Sequence, residues 1–503
     1  MARAHETEAA MKEAEKALKP WVIRHLKPRH MLIKGKLIDR RRRIEGAGII
    51  AGEKAGAGIV VEGNTRLPFL LAARTVALTR KGRAVYAEGL ASSYEAFLDT
   101  RKNKKTSVDE DIDGFPSEAV QRADWYVKSI GEALETRYSK GGLGSHPKIT
   151  ATTKKVIELW TKGEKVLVFC HYIETGRALR LSISRALAAK VRELAQEKMP
   201  EIILSKIEGR LKSLGNKFFV KDGEVCARFD ITIEKYLSKY ADALSGKEKE
   251  DLAESFRRFI RTPSFLVRYF NLSGGIKPED IITAFKSSHS SSMSLRVLIE
   301  DFLDFIARRC NTVERAEYIK AIKKVNTGNH RVSLEELLPG ENQDGEVLAN
   351  VRLVNGNTPQ ETRRTLMSTF NTPFYPEVLI ASSVLAEGVD LHLNCRYVIH
   401  HDLCWNPSTL EQRTGRIDRI NAKAERCGKP IEIYLPYIAG TQDEKMYRVV
   451  MDRERWFKVV MGEEYEPDGL TVERIAERQP IPQTLVDRLM FKLDVASSSK
   501  PRK

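Results

Sequence analysis

Apolar and polar residues follow two different periods along much of this chain. Short continuous apolar runs of the buried-strand type occur at KVLVF (165–169), VLIA (378–381) and CRYVIHH (395–401). Segments with apolar residues at helical spacing lie between such runs, for example KITATTKKVIELWTKG (148–163). Strands that alternate with helices predict an α/β fold, in which a parallel sheet carries helices on both faces.

The alternation is interrupted in the middle of the chain by a long stretch of helical segments, such as DLAESFRRFIRT and LRVLIEDFLDFIARRC. We interpret this stretch as a helical insertion in a single α/β domain. Before the α/β part, three helices are predicted between residues 67 and 137, with the sequences LPFLLAARTVALTRKG, LASSYEAFLDTR and SEAVQRADWYVKSIGEALETRY. The predicted parts are a connector at 1–45, a helical region at 46–145, an α/β lobe at 146–190 and 341–462, a helical insertion at 191–340 and a tail at 463–503.

The charge balance favours a polyanionic partner. The 503 residues include 84 Lys and Arg against 68 Asp and Glu, which gives a formal net charge of +16. Such an excess favours contact with DNA or RNA, although a basic surface can also serve solubility alone. The run Arg40 to Arg43 could contact phosphates, but runs of this kind are usually a solvated face.

Cysteine usage and hydropathy predict a cytoplasmic protein. The six cysteines form no CxxC pair, which is typical of reduced residues and not of zinc ligands or a disulfide framework. No apolar run reaches the roughly 18 residues needed to cross a bilayer. The N-terminus is charged and no apolar segment follows it, so no membrane partner is expected.

The strongest chemical signal is NPSTLEQRTGRIDRI, residues 406–420. Ser408 and Glu411 have the S-x-x-E spacing of a capping box, which predicts that a helix begins there. That helix would present Gln412, Gly415, Arg416 and Arg419 on one face. It would pack Leu410, Thr414 and Ile417 against the sheet.

An outward pair of guanidinium groups suits phosphoryl transfer, because it can stabilise charge that develops on a transferred γ-phosphate. The alternative is an ordinary solvated helix, whose arginines pair with Glu411, Asp418 or Glu425.

The pattern Q-x-x-G-R-x-x-R in this segment resembles motif VI of superfamily-two helicases. The form LEQRTGRIDRI is most similar to the Swi/Snf branch and to the bacterial RNA-polymerase-recycling ATPases. The resemblance implies a RecA-like second lobe, in which Arg416 and Arg419 are arginine fingers. It also implies that Gln412 helps to position the nucleotide and that Gly415 lies on the nucleotide side.

The segment VLIASSVLAEGVDLH, residues 378–392, resembles motif V of the same family. The resemblance implies that Ser382 contacts a nucleic-acid phosphate. It further implies that Glu387, Gly388 and Asp390 couple this contact to the ATP cleft. Ser382 stands where the family more often has Thr, and Ser383 where it often has Asp. By itself the segment is equally an ordinary turn between a strand and a helix.

Weaker matches occur in the family's order. KVLVFCHYIET resembles motif IV, so His171 and Tyr172 could face a nucleic-acid backbone. NGNTPQETRRTLMSTF is similar to a later strand, turn and helix of the family. Near the start, LKPWVIRHLKPRH resembles the segment that follows the last motif of the first lobe. The resemblance covers roughly residues 15–190 and 341–460, and an ordinary structural role is the alternative for each weak match.

The phosphate-binding part of such a motor is missing from the sequence. No G-x-x-x-x-G-K-[ST] loop occurs, and DEDID at 109–113 is interpreted as a solvated loop and not as a magnesium-binding box. We therefore expect that this chain alone does not hydrolyse ATP. A separate polypeptide would carry the first lobe and share ATP and Mg²⁺ with this one.

The sequence hypothesis is thus the second motor lobe of an ATP-dependent nucleic-acid helicase or translocase, with double-stranded DNA as the more probable track. The rival hypothesis is a non-catalytic module, derived from a helicase, that binds nucleic acid or protein. A small-molecule hydrolase finds no support, since the chain lacks paired carboxylates, a G-x-S-x-G elbow and metal-ligand spacing.

Overall fold

The computed structural model describes residues 28–33, 35–54, 56–78, 83–105, 146–288, 293–324, 348–382 and 390–460, with scattered positions between 9 and 17 and at 129 and 132. The strands are β1 (His30–Ile33), β2 (Lys36–Asp39), β3 (Arg41–Glu45), β4 (Lys165–Phe169), β5 (Val351–Val354), β6 (Val378–Ala381), β7 (Cys395–His400) and β8 (Ile431–Leu435).

The helices before the insertion are α1 (Arg66–Leu78), α2 (Arg83–Ser92), α3 (Tyr94–Lys105), α4 (Pro147–Thr161) and α5 (Ile173–Lys198). Those of the insertion are α6 (Ile207–Asn216), α7 (Glu224–Leu237), α8 (Gly246–Ile260), α9 (Pro263–Tyr269), α10 (Pro278–Lys286), α11 (Leu295–Asp304) and α12 (Thr312–Lys324). The remaining ones are α13 (Gln360–Phe370), α14 (Pro407–Thr414), α15 (Lys423–Cys427) and α16 (Gln442–Val460).

One six-stranded sheet organises the lobe, with the order β3-β8-β7-β4-β6-β5 and all pairs parallel. Apart from the edge strand β3, the strands are mostly apolar and buried on both faces. In β4, Val166 and Val168 belong to one hydrophobic core, whereas Leu167 and Phe169 belong to the core on the opposite face. The predicted α/β class with a parallel sheet is therefore confirmed.

The edge strand β3 differs from the sequence expectation. Residues 1–45 were expected to be a connector, yet Arg41 to Glu45 pair in parallel with Ile431 to Leu435 of β8. Hydropathy does not predict a strand of sequence RRRIE, because its single apolar residue is Ile44. An edge strand has a neighbour on one side only and so tolerates this polarity.

The described helical region also departs from its predicted boundaries. The segment LASSYEAFLDTR was expected to be one helix, but α2 ends at Ser92 and α3 begins at Tyr94. Ser93 causes the break, since its hydroxyl oxygen accepts a hydrogen bond from the backbone N–H of Ala96 at 3.0 Å. The third predicted helix, apart from positions 129 and 132, and the DEDID loop lie outside the described residues.

The insertion shares one hydrophobic core with the lobe. Phe256 of α8 and Phe302 of α11 pack against Phe374 of the lobe, with ring centroids 4.8 and 5.5 Å apart. This core is continuous with the residues that cover one face of the sheet. The insertion is therefore packed directly against the lobe and shares its core.

Glu377 joins the insertion to the amino ends of the strands. Its buried carboxylate lies directly before β6 and accepts hydrogen bonds at 2.7 Å from Trp160 Nε1 and Asn350 Nδ2. It also forms an ion pair with Arg268 of the insertion helix α9. Three groups from different elements thus converge on one carboxylate.

Among the described residues, no helix is both long and apolar enough to cross a membrane. All six cysteines are free thiols, as the sequence analysis expected.

Two buried histidines should make stability depend on pH. Burial lowers the pKa of His146 to about 3 and that of His401 to about 4, from an ordinary value of 6.5. The folded protein keeps both rings neutral, whereas the unfolded chain binds protons near pH 6.5. Their contribution to stability should be complete above about pH 6.5 and should be lost as the pH falls toward about 4. Thermal melting should show Tm decreasing across this interval.

The control is the double variant His146→Gln and His401→Gln. It should melt at a lower temperature than the unaltered chain at about pH 7.5, because hydrogen bonds are lost, but its Tm should depend less on pH. An equally steep decline in both proteins would contradict the assignment.

Candidate nucleotide and nucleic-acid site

The parallel sheet separates the predicted site residues onto two edges. His171 and Tyr172 follow β4, and Ser382 follows β6, so they lie at the carboxyl edge. In contrast, Asp418 and Lys423 contact residues that precede strands. Asp418 pairs with Arg40 before β3, and Lys423 Nζ lies 2.7 Å from Glu164 Oε2 before β4. The segment after α14 is therefore at the amino edge.

At the carboxyl edge the two aromatic residues stand beside a buried carboxylate. The backbone N–H of His171 donates to Oδ2 of Asp402 at 2.7 Å, and the exposed imidazole meets the Tyr172 ring edge to face at 5.0 Å. Although burial alone would raise the pKa of Asp402, neighbouring positive charge and hydrogen bonds to the carboxylate lower it. The lowered pKa favours the charged form of Asp402, which is buried beside the two aromatic residues.

Ser382 does not match its predicted exposure. The resemblance implied a contact with a nucleic-acid phosphate, which needs an accessible side chain, but the residue is only 3% exposed. Its backbone N–H donates to the carbonyl of Val354 at 3.0 Å, which continues the pairing of β5 with β6 by one residue. The strand pairing therefore extends to Ser382, and residues 383–389, including Glu387 and Gly388, lie outside the described residues.

The beginning of α14 also differs from the capping-box prediction. Asn406 is the N-cap, since its side-chain oxygen accepts from the backbone N–H of Ser408 at 3.0 Å, and Pro407 occupies the first helical position. Glu411 does not fold back to cap the helix. Both of its oxygens instead accept from Arg41, at 2.7 and 2.8 Å.

Helix α14 ends sooner than predicted. It stops at Thr414, so Arg416 and Arg419 lie in the turn that follows and do not share a helical face with Gln412. Asp418 accounts for this ending because it is fully buried between Arg40 Nε at 2.7 Å and Arg41 Nε at 2.6 Å. The expected packing of the opposite side is confirmed, since three of its residues are buried: Leu410, Thr414 and Ile417.

The arginine run of β3 has a structural role that the sequence did not reveal. Arg40 pairs with Asp418 and with Glu425 at 3.0 Å, and Arg43 pairs with Glu454. Arg40, Arg41 and Arg43 thus neutralise acidic residues near α14, and the phosphate-contact interpretation does not apply to them. The sequence analysis considered Asp418 and Glu425 as partners for the arginines of the 406–420 segment. In the structure both pair with Arg40 instead.

The ends of the two strongest motif segments meet at the amino edge. The backbone N–H of Leu391 donates to the carbonyl of Arg416 at 2.8 Å. Beside it, Arg419 Nε lies 2.8 Å from Asp390 Oδ1, in a pair that is about half exposed. Arg416 itself is only 8% exposed, whereas Gln412 is exposed on the last turn of α14. Arg416, Arg419 and Asp390 are thus brought together, although not by a common helix.

Asn371 is a site residue that sequence reasoning missed. Its amide nitrogen donates to the carbonyl of Asp390 at 2.6 Å, and its amide oxygen accepts from the N–H of Leu393 at 3.2 Å. The side chain therefore holds the chain on both sides of Leu391. An asparagine directly after a predicted helix was the only available signal, and it is too common to be informative.

A family model described as the helicase conserved C-terminal domain matches residues 306–421. The matched region contains both segments whose ends meet at the amino edge. Strand β4 lies outside it, separated by the insertion.

Three relatives are similar over shorter segments. An uncharacterized ATP-dependent helicase, YqhH of Bacillus subtilis, is 34% identical over 87 residues, which are 17% of this chain and 14% of that protein. DNA repair and recombination protein RAD54B of Gallus gallus is 33% identical over 96 residues, or 19% and 10%. RNA polymerase-associated protein RapA of Vibrio vulnificus is 32% identical over 117 residues, or 23% and 10%.

A solved structure of the C-terminal part of the Fun30 ATPase domain matches 28% of this chain and 38% of that chain, at 18% identity and a TM-score of 0.18. The chain spans at most about a seventh of the length of the relatives described above. Over residues 306–421 the chain is therefore similar to the conserved C-terminal domain of helicases.

Proposed function

We propose that this lobe is the second motor lobe of an ATP-dependent nucleic-acid translocase, and that Arg416 and Arg419 act on a nucleotide held by a first lobe. The observation that carries the proposal is the junction at the amino edge. There the N–H of Leu391 is bonded to the carbonyl of Arg416, and Arg419 is paired with Asp390. A change in one motif segment is thereby transmitted to the other.

The donor chemistry at this edge fits a polyphosphate. Guanidinium groups match phosphate oxygens in geometry and charge, and they remain charged at any physiological pH. Bound ATP would supply the phosphoanhydride bond whose hydrolysis drives movement. Residues 1–503 contain no G-x-x-x-x-G-K-[ST] loop, so we assign the binding of the phosphates and of Mg²⁺ to a first lobe outside these residues.

The two arginines would act differently. Arg416 is nearly buried and its backbone carbonyl is bonded to Leu391, so its side chain would need little reorganisation to act on a nucleotide. Arg419 is about half exposed and already neutralised by Asp390. A phosphate that reaches Arg419 would compete with the Asp390 carboxylate for the guanidinium. Nucleotide binding would therefore break the Arg419–Asp390 ion pair. Gln412 and Gly415 lie next to this region and would border the bound nucleotide.

The nucleic-acid track would lie along the opposite, carboxyl edge. His171 is exposed there, with Tyr172 against it, and Ser382 is the last described residue before the rest of the motif V segment. The net charge of +16 and a relative named for DNA repair favour duplex DNA as the track. The choice of DNA over RNA, and a cytoplasmic location, remain predictions.

The test is steady-state ATP turnover with duplex DNA. This chain is measured alone, and then mixed with the product of the adjacent upstream reading frame or with an isolated first lobe of a Swi/Snf helicase. Turnover should be absent in the chain alone and should appear in a mixture that also contains DNA.

The same samples distinguish the rival hypothesis. If DNA binding is retained but no mixture hydrolyses ATP, the motor proposal is wrong and a non-catalytic binding module is the better description. Turnover by the highly purified chain alone would contradict the need for a first lobe.

A further inference from the structure

We propose that the insertion carries a second contact site for the phosphates of duplex DNA, which we call the insertion patch. It consists of Arg210, Lys217 and Arg261 around Phe219. The proposal rests on the proposed function only for the identity of the ligand. The patch is formed by α6, the short 3-10 helix Lys217–Phe219 after it, and Arg261 directly after α8.

Two cations of the insertion patch converge over a glycine turn. Gly275 has a φ of 95°, and a Cβ atom placed there would lie 3.5 Å from Lys217 Nζ and 3.9 Å from Arg210 Nη2. Lys217 Nζ donates one hydrogen bond, to the carbonyl of Ile276 at 3.4 Å, which leaves two donors. Arg210 and Lys217 are both exposed. A small, open backbone therefore lies beneath two cations that have donors to offer.

The third cation is held in place by an exposed aromatic ring. The guanidinium carbon of Arg261 lies 4.7 Å from the ring centroid of Phe219, whose side chain is 38% exposed. Gly215 of α6 approaches the backbone of Arg261 so closely that a side chain there would collide with it. Cation–π contact restrains the guanidinium without neutralising it. Because Arg261 covers the ring, a phosphate contact is favoured over base stacking.

The insertion patch differs in charge pairing from several other basic side chains of the insertion. For example, Lys239 pairs with Glu300 at 2.8 Å and Lys323 with Asp251 at 2.6 Å. Within the described residues, the three cations of the insertion patch form no ion pair with a carboxylate. Burial and then the charge of Arg258 lower the pKa of Arg261, as expected where like charges are crowded. A polyanion would relieve this repulsion.

The experiment compares duplex binding by the full chain and by the triple variant Arg210→Ala, Lys217→Ala and Arg261→Ala. Fluorescence anisotropy with a short labelled duplex is recorded between about 50 and 200 mM salt. Each phosphate contact contributes about 0.9 to the slope of log K against log salt concentration. The slope of the triple variant should therefore be smaller in magnitude by about 2 to 3.

The matched control removes the same charge from other surfaces of the insertion, by Lys235→Ala, Lys247→Ala and Lys320→Ala. Lys247 lies near the start of α8, about 20 Å along the helix axis from Arg261. The control slope should change by less than about 1. Should the triple variant unfold, the pair Arg210→Ala and Lys217→Ala tests the same point, because both side chains are exposed.

An equal change of slope in the triple variant and the control would overturn the insertion patch while leaving the proposed function intact. Competition by polyglutamate as strong as by duplex would also overturn it, in favour of an acidic protein partner. A complete lack of duplex binding by the unaltered chain would overturn the proposed DNA track together with the patch.

Discussion

Replacing Arg416 by alanine should lower DNA-stimulated ATP turnover of the assembled two-lobe motor by about a thousandfold or more, the magnitude typical of a lost arginine finger. The side chain is lost while the Leu391 N–H to Arg416 carbonyl bond is retained, so the junction of the two motif segments should survive. The kcat should carry the loss, and the KM for ATP should change little, because the guanidinium acts mainly on charge that develops in the transition state.

Arg42→Ala is the matched control for this prediction. Arg42 is exposed on β3, carries the same charge, and lies outside the proposed nucleotide cleft. It should leave turnover nearly unchanged. If Arg416→Ala retains most of the activity in a protein whose Tm is unaltered, Arg416 is not an arginine finger and the role assigned to it is wrong.

Replacing Glu377 by alanine should cause the largest loss of stability, about 3 to 5 kcal/mol, which is the usual cost of leaving a buried charge without its partner. Arg268 would remain buried without a carboxylate, and Trp160 Nε1 and Asn350 Nδ2 would lose their acceptor. Urea unfolding monitored by circular dichroism measures the difference in the free energy of unfolding.

Glu361→Ala provides the comparison, because its ion pair with Lys324 at 2.8 Å is exposed on both sides. Its unfolding midpoint should match that of the unaltered chain. A Glu377→Ala protein that unfolds at the same urea concentration as these two would show that the insertion is not anchored through this carboxylate.

Hydropathy predicted the central strands because their burial is complete. Strands β4, β6 and β7 are buried at every position, so each is an uninterrupted or nearly uninterrupted apolar run. Strand β3 has one neighbour and a partly exposed face. Its Arg41 and Arg43 form ion pairs with acidic residues on and directly after α14 and on α16. Periodicity cannot find a strand whose sequence is determined by distant charges.

For the site, local spacing predicted which residues lie together but not how they are arranged. Arg416, Arg419 and Asp390 do come together, whereas the shared helical face does not exist. The helix ends early because Asp418 is bound by arginines of β3, and no pattern within 406–420 contains that information. Asn371 was missed for the same reason, since its role depends on a contact with the carbonyl of Asp390.

The long-range pairing of β3 has a consequence for biosynthesis. Arg40 and its buried partner Asp418 are 378 positions apart, and the strand that pairs with β3 is made later still. At a translation rate of about 5 to 20 residues per second, roughly 20 to 75 s separate the emergence of the two side chains from the ribosome. During that interval the basic strand β3 has no β8 to pair with. This lobe must therefore complete its folding after its last strand has been synthesised.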